Sequence, residues 1–175
     1  GLLFGVVSKA DSRFAEGDSC YNQLRKRASL SSSSLSIVSE LKSGSAWYVP
    51  GGCSTIGRLF NDACGRYAFA EDKHSGSIPL AFETVFDKAG DADVWTIKYN
   101  RDRDMTYSDL KADYIGYTGF KAFKTRNIYG CNTAKVPFYE ETPFRPDYLL
   151  ADLIQILHPE IGDLGGLRYF CKLNE

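Results

Sequence analysis

Apolar or small residues recur at Ala10, Phe14, Gly17, Tyr21, Leu24 and Ala28, spaced alternately by four and three, with Arg13, Glu16, Arg25 and Lys26 between them. That period predicts one long amphipathic helix over residues 8–28, weakened at Gly17. Residues 31–34, all serine, read as a hinge or linker. Residues 35–41 read as a strand, and 45–49 as a second strand or its continuation. From Cys53 onward, Ile56, Leu59, Phe60, Ala63 and Cys64 make a helical stripe that should stop at Gly65. A short strand is expected at 67–69, a short helix around Phe82, Val85 and Phe86, and a buried strand at 93–97. Short helical patterns follow over 106–110 and 117–123, then a strand at 127–130 leading into a loop. Pro146 opens a last helix whose buried face is Leu149, Leu150, Leu153, Ile154 and Leu157, ending near His158-Pro159.

Strands alternating with helices predict an α/β fold with a mostly parallel sheet flanked by helices. Ligands of such sheets sit at the carboxyl ends of the strands. Three loops should converge there: 51–54, 99–102 and 131–141.

Composition narrows the function. The net charge is −1 with no basic stripe, which excludes a nucleic-acid partner. Aromatics reach 14%, so the chain either presents Tyr and Trp at a recognition surface or packs an aromatic core. No apolar run reaches the roughly 18 residues a membrane span needs. The apolar opening at residues 1–7 lacks a basic leader and a small-residue cleavage site, so it is not a signal peptide. Its start on Gly1 without Met is what a fragment of a longer chain would show. Five scattered cysteines without C-x-x-C give no zinc site. One disulfide and a set of small buried thiols both remain compatible with their spacing.

The segment Trp47-Tyr48-Val49-Pro50-Gly51-Gly52-Cys53-Ser54 joins an extended run to a helix. As a phosphate loop, Gly52 to Gly57 should be followed by Lys and Ser or Thr, and Arg58 and Leu59 stand there instead. As a nucleophile elbow it needs glycine where Ile56 stands. An α/β hydrolase using Ser54 also needs His74 or His158 within hydrogen-bond reach. His158 suits a helix C-terminus, and His74 lies in a polar loop. Two distant histidines make no transition-metal site, and Arg101-Asp102-Arg103-Asp104 lacks the glycine and distal glutamate of a calcium loop. No metal and no cofactor is called for. What survives is a pocket without chemistry: a glycine turn with free backbone N–H groups, beside Trp47 and Tyr48.

Three stretches, GSAWYVPGGCSTIGRLFNDACGRY, SGSIPLAFETVFDKAGDADVWTIKYN and NIYGCNTAKVPFYEETPFRPDYLLADLIQILHPE, come in the order seen in class III periplasmic substrate-binding proteins. The chain resembles the second half of that family, in wording closest to its Bacteroidetes versions. The resemblance implies a Rossmann-like three-layer lobe. Residues 1–30 would be the end of an interdomain connecting helix and its linker, and 31–175 the C-terminal lobe. A ligand would lie between this lobe and a separate N-terminal one. It implies no enzyme, but a periplasmic, lipid-anchored receptor that hands a ferric siderophore, haem or cobalamin to an ABC importer. Carried over residue by residue, Trp47, Tyr48, Gly51, Ser54, Tyr99, Asn100, Phe138 and Tyr139 become candidate ligand contacts, each equally suited to core packing. Two or three of them are expected to be exposed together. Glu83 resembles the family's permease-docking glutamate, and is otherwise an ordinary glutamate at a helix start. Lys42 and Lys135 are either contacts for an anionic ligand or surface lysines. Arg145 is expected to pair with Glu140 or Glu141. A third alternative is a lone flavodoxin-like interaction domain, in which residues 8–28 would pack as an integral layer rather than project with a bare apolar seam.

Overall fold

The long periodic segment is a helix, α1 (Val7–Ser29), in the structure, a computed structural model that describes residues 5–162 and 164–175. Residues 1–4 of the apolar opening run lie outside the described residues. The chain continues through β1 (Ser36–Ser39), β2 (Lys42–Ser43), β3 (Ala46–Pro50), α2 (Thr55–Asp62), β4 (Arg66–Tyr67), β5 (Ser77–Leu80), α3 (Phe82–Ala89) and β6 (Val94–Tyr99). It ends with α4 (Tyr107–Asp113), a 3-10 segment (Ile115–Gly119), α5 (Lys121–Lys124), β7 (Ile128–Asn132), α6 (Phe138–Glu141), α7 (Pro146–Leu157) and β8 (Cys171–Lys172). No helix among the described residues is long and apolar enough to cross a membrane.

Two sheets result. The main one has the order β4-β1-β6-β7-β8, parallel except for β8. A small antiparallel sheet, β2-β3-β5, lies beside it. This is the expected α/β, mostly parallel architecture, but the small sheet, β8 and α6 were not foreseen. Their signals are weak for physical reasons. β5 carries Pro79, which lacks an N–H and is tolerated because β5 is an edge strand. β2 and β8 are two residues each, too short for any alternation to register.

Local chemistry explains most element ends. Thr106 accepts from Asp109 N while the Asp109 carboxylate accepts from Thr106 N, a capping box that starts α4. Pro146 opens α7. The stripe was expected to stop at Gly65; α2 ends at Asp62, and Cys64 after it is left-handed (φ 55°). A Cβ on Gly65 would lie 2.8 Å from Leu157 Cδ1, the tip of a side chain on α7. Among the described residues the five cysteines are free thiols, and only Cys131 is fully buried, its thiol pushed up to about 12 by burial.

Helices α2 and α7 cover one face of the main sheet, and α7 in turn carries α1. Contact between α1 and α7 begins at Gly17, beside Arg145 and Asp147, and continues to Arg27, which donates to Gly162 O. Residues 5–16 are all exposed, including Phe14 at 78%. The apolar stripe read in the sequence is therefore used only in its second half, where Tyr21, Leu24 and Ala28 pack on the core. The helix does not form an integral layer on the sheet, which removes the flavodoxin-like alternative. The opposite face carries an aromatic cluster of Trp47, Phe82, Trp95, Tyr117 and Phe120 under the small sheet, α3 and α5.

Candidate functional site

From β1 the chain goes to β4 on one side and then crosses to β6 on the other, so the sheet's switch point lies between β1 and β6. Crevices form outside the carboxyl ends of strands at such points. Here that edge is built from the end of β1, the start of α2, the end of β6, and the segment from the end of β7 into α6.

At the end of β1, Glu40 has φ 69°, a left-handed conformation that side chains rarely adopt. Two indoles fix it: Trp47 Nε1 donates to Ser39 O and Trp95 Nε1 to Glu40 O, both at 2.9 Å. The Glu40 carboxylate pairs with Lys98 on β6, the two side chains being 21% and 19% exposed. Lys98 Nζ also stands 5.7 Å from the ring centroid of Phe138. The sequence contained no periodic or motif signal for this pair, because it is made by two strands 58 residues apart in the chain.

Asn132 closes the end of β7. Its Oδ1 accepts from Arg101 N and Ala134 N, and its Nδ2 donates to Arg101 O and Asp104 Oδ1. The charged run 101–104 is a solvent-facing loop whose charges are paired. Arg101 meets Asp113 at 2.8 Å, Arg103 grips Asp109 with two contacts of 2.7 Å, and Lys135 meets Asp104 at 3.0 Å. Those contacts hold the Asp109 carboxyl well below the usual range, the Arg103 bond first among the causes. Lys135 is thus an ion-pair partner, while Lys42 bonds Gly44 O and lies 5.3 Å from the Tyr114 ring centroid. Arg145 pairs with Asp147 at 2.7 Å rather than with Glu140 or Glu141, and Glu141 pairs with Arg168.

The structure divides the eight candidate ligand contacts. Trp47 is 0% exposed, stacked 5.6 Å from Trp95 in the aromatic core, so it lines no cavity wall. Ser54 is 7% exposed and spent on its helix: Oγ accepts from Gly57 N at 3.0 Å and donates to Gly51 O at 2.6 Å. Gly51 is buried, and several of the turn's N–H groups, expected to be free, are bonded, Ser54 N to Gly51 O among them. Gly51 N bonds Gly76 O and Cys53 N bonds His74 O. The loop over 70–76 lies so close that a Cβ on Gly51 would sit 2.4 Å from His74 O, and one on Gly52 2.1 Å from Ala70 O. Tyr99 is 9% exposed and accepts from Met105 N, and burial raises its phenol. Phe138 is 4% exposed against Tyr169. These five are therefore core or scaffold positions. Asn100 and Tyr139 are exposed at the carboxyl edge, Tyr139 at 64%, and Tyr48 is 49% exposed on the small sheet. Asn100 Nδ2 reaches Thr133 Oγ1 at 3.2 Å. Glu83 is exposed in the first turn of α3.

Hydrolase chemistry fails on the same geometry. His158 is buried, its Nε2 donating to Ala63 O at 2.7 Å and its Nδ1 meeting Ser31 Oγ at 3.0 Å. His74 Nδ1 meets Asp72 at 3.0 Å. Neither ring serves Ser54, whose hydroxyl hydrogen already goes to a carbonyl. The edge offers aromatic faces, an amide and compensated charges, an arrangement suited to holding a solute rather than transforming one.

Comparison with known proteins agrees. A model of the family described as periplasmic binding protein matches residues 1–134. An uncharacterized lipoprotein of Methanocaldococcus jannaschii is 31% identical over 128 residues, covering 73% of this chain and 30% of that protein. The TroA-like periplasmic binding protein FepB of Veillonella parvula superposes on 95% of this chain and 56% of its own, with a TM-score of 0.66 at 13% identity. An ABC transporter substrate-binding protein of Listeria monocytogenes gives 0.67 at 14% identity, over 91% of this chain and 60% of its own. A protein of an ABC-type Fe3+-hydroxamate transport system from Saccharomonospora viridis gives 0.62 at 14% identity, over 81% of this chain and 47% of its own. The chain thus spans under a third of the curated relative and between 47% and 60% of these structures. The structural likenesses show the fold. The sequence match across residues 1–134 of 175 shows more: the chain belongs to the periplasmic binding protein family, a family of substrate-binding proteins rather than enzymes.

Proposed function

We propose that this chain acts as the C-terminal lobe of a periplasmic receptor that captures an iron complex, a ferric siderophore or haem, or cobalamin, and delivers it to an ABC permease. The observation that carries the reading is the contrast along α1. Its second half packs on α7 from Gly17 onward, while residues 5–16 stand wholly exposed with Phe14 at 78%. An apolar stripe of that kind is what a second lobe covers. The carboxyl edge, with Asn100 and Tyr139, would face that lobe across the ligand. The names of the structural relatives, one from an Fe3+-hydroxamate transport system, support an iron chelate as cargo. The relative named a lipoprotein supports a lipid-anchored receptor.

Tryptophan-fluorescence titration of the two-lobe protein and of this chain with ferrioxamine, ferric citrate, haemin and cyanocobalamin tests the cargo. One of the four should bind the two-lobe form tightly and this chain far more weakly, because half a cleft leaves the solute half solvated. Tight binding of a sugar or peptide in their place overturns the reading. Docking through Glu83 is tested separately: Glu83→Arg should cut stimulation of the partner permease's ATPase about tenfold while cargo affinity is unchanged. Unchanged stimulation would remove Glu83 from the interface.

A further inference from the structure

Three helices end around one buried ring. Helix α1 stops at Ser29 and α2 at Asp62, and His158, which caps the C-terminus of α7, is fully buried between those ends. Its Nε2 lies 2.7 Å from the carbonyl oxygen of Ala63, the residue capping α2. Its Nδ1 lies 3.0 Å from Ser31 Oγ and 3.3 Å from Ser33 Oγ, just past the end of α1. Both hydroxyls also reach one carboxylate oxygen, Glu160 Oε1, Ser33 at 2.5 Å, and that oxygen stands 3.7 Å from Nδ1. The serine run read as a hinge is therefore tied to the lobe, with Ser34 Oγ donating to Cys64 O at 3.0 Å as well.

Counting protons decides the state of the ring. A carbonyl only accepts, so Nε2 carries a proton. A hydroxyl has one proton and two lone pairs. Ser31 Oγ accepts from Ser33 N at 3.1 Å, and its own proton goes to its nearest partner, the Glu160 carboxylate. The Ser33 proton goes to the same oxygen, which is nearer to it than the ring is. What faces Nδ1 is the second lone pair of Ser31, and that geometry calls for a proton on Nδ1. A neutral ring would set lone pair against lone pair, or take a hydroxyl from a carboxylate that binds it more strongly. The surroundings agree. Helix C-termini carry partial negative charge and favour a cation, and those of α2 and α7 both meet the ring. An unpaired charge could not be buried here, but Glu160 supplies the counter-charge. Other charged groups on the elements packed around it are engaged elsewhere. Arg27 on α1 donates to Gly162 O, Asp62 at the end of α2 accepts from Tyr21 and faces Arg25, and Asp152 on α7 accepts from the amides of residues 168–170.

We propose that His158 is a buried imidazolium, joined to Glu160 through Ser31 and Ser33, and that this relay clasps the end of α1 to the lobe. The segment between helix and lobe is then a fixed joint whose integrity depends on one proton. When Nδ1 loses it, Ser31 must either turn from the carboxylate to the ring or leave the ring unbonded, and the joint loosens. The clasp rests on hydrogen bonds within the lobe, so it stands or falls separately from the transport reading.

Nitrogen-15 NMR of the histidine rings at about pH 7 tests it. The chain has two histidines, so His74→Gln assigns the signals. His158 should show two protonated ring nitrogens, and Glu160→Gln should convert it to the neutral ring with Nδ1 bare. In that variant and in Ser31→Ala, exchange of the Leu30 and Ser31 amides, which close the last turn of α1, should quicken about tenfold, the equivalent of one charge-assisted hydrogen bond. Raising the pH of the unaltered chain should bring the same quickening, beyond the intrinsic pH dependence of exchange, in step with loss of the second ring proton. A serine cluster that only packs would not follow the ring. A bare Nδ1 in the unaltered chain at about pH 7 overturns the proposal whatever the variants do. So does a ring that stays doubly protonated in Glu160→Gln, and unchanged exchange in both variants overturns the clasp.

Discussion

Trp47 and Trp95 stack with centroids 5.6 Å apart and 29° between ring planes, and their N–H groups donate to consecutive carbonyls, Ser39 O and Glu40 O. The pair thus packs the core and also pins the strand end from which the carboxyl edge is built. Trp47→Phe keeps an aromatic ring but removes one donor and leaves Ser39 O without that bond. It should cost about 1–3 kcal/mol, and Trp47→Ala about 3–5 kcal/mol, read from urea midpoints. A loss below the first range would mean that the indole N–H contributes nothing to the turn.

The Glu40–Lys98 pair is mostly buried and bridges the switch point. Removing one partner of such a pair is worse than removing both, because the remaining charge stays in the core. Glu40→Gln should destabilise by about 3–5 kcal/mol, with Glu40→Gln/Lys98→Met recovering much of that loss. A double-mutant cycle by chemical denaturation gives the coupling. Strict additivity of the two substitutions would contradict the account.

Gly17 weakens α1 at the residue where its contact with α7 begins. A Cβ there would meet its nearest atoms, Arg145 Nε and Asp147 Oδ1, at 3.8 Å, ordinary contact distances. Gly17→Ala should therefore stabilise the chain by about 0.5–1 kcal/mol by lowering the entropy of the unfolded state. A fall in the thermal midpoint would show that the glycine is required sterically.

Acid should unfold the protein through carboxylates that the fold keeps ionised. Glu160 accepts from the hydroxyls of Ser31 and Ser33 and is lowered to about 2 by those bonds, with the nearby His158 ring a smaller cause. Burial pushes the Asp93 carboxyl up, but bonds from Lys121 and Ser36 outweigh it and hold it well below the usual range. For both groups the folded value lies below the unfolded one, so their stabilisation is full above roughly pH 4.5 and is lost progressively as pH falls from there through the folded values. Asp152 runs the other way, since burial raises it against three backbone N–H donors. Urea midpoints measured against pH should fall steeply below about pH 4. Glu160→Gln should flatten the segment between about pH 4.5 and 2, and an unchanged slope in that variant would count against the serine bonds.

Particular residues show how far the sequence could be read. The helix expected over residues 8–28 is found at Val7–Ser29, and the one opened by Pro146 ends at Leu157 beside His158, because side-chain period and caps are local properties. The choice between ligand wall and core at Trp47 was not local. An aromatic residue before a glycine turn reads the same whether it faces solvent or Trp95. The end of α2 was legible only to within a few residues: the stripe pointed to Gly65, while the helix ends at Asp62 and Cys64 takes the left-handed conformation. Asn100 and Tyr139 stood among eight candidates that nothing local divided into exposed and buried. The buried partnership of Glu40 and Lys98 was not legible at all.

By itself the sequence determined the α/β class and the type and order of the longer elements, since periodicity, capping and turn chemistry act within a few residues of one another. It also carried the family likeness in three contiguous stretches. Tertiary structure alone decided which side chains the carboxyl edge leaves open. Burial and ion pairing depend on what the folded chain brings within a few ångströms, and the loop that seals Gly51 and the indoles that pin Glu40 meet their partners across distances no local pattern encodes.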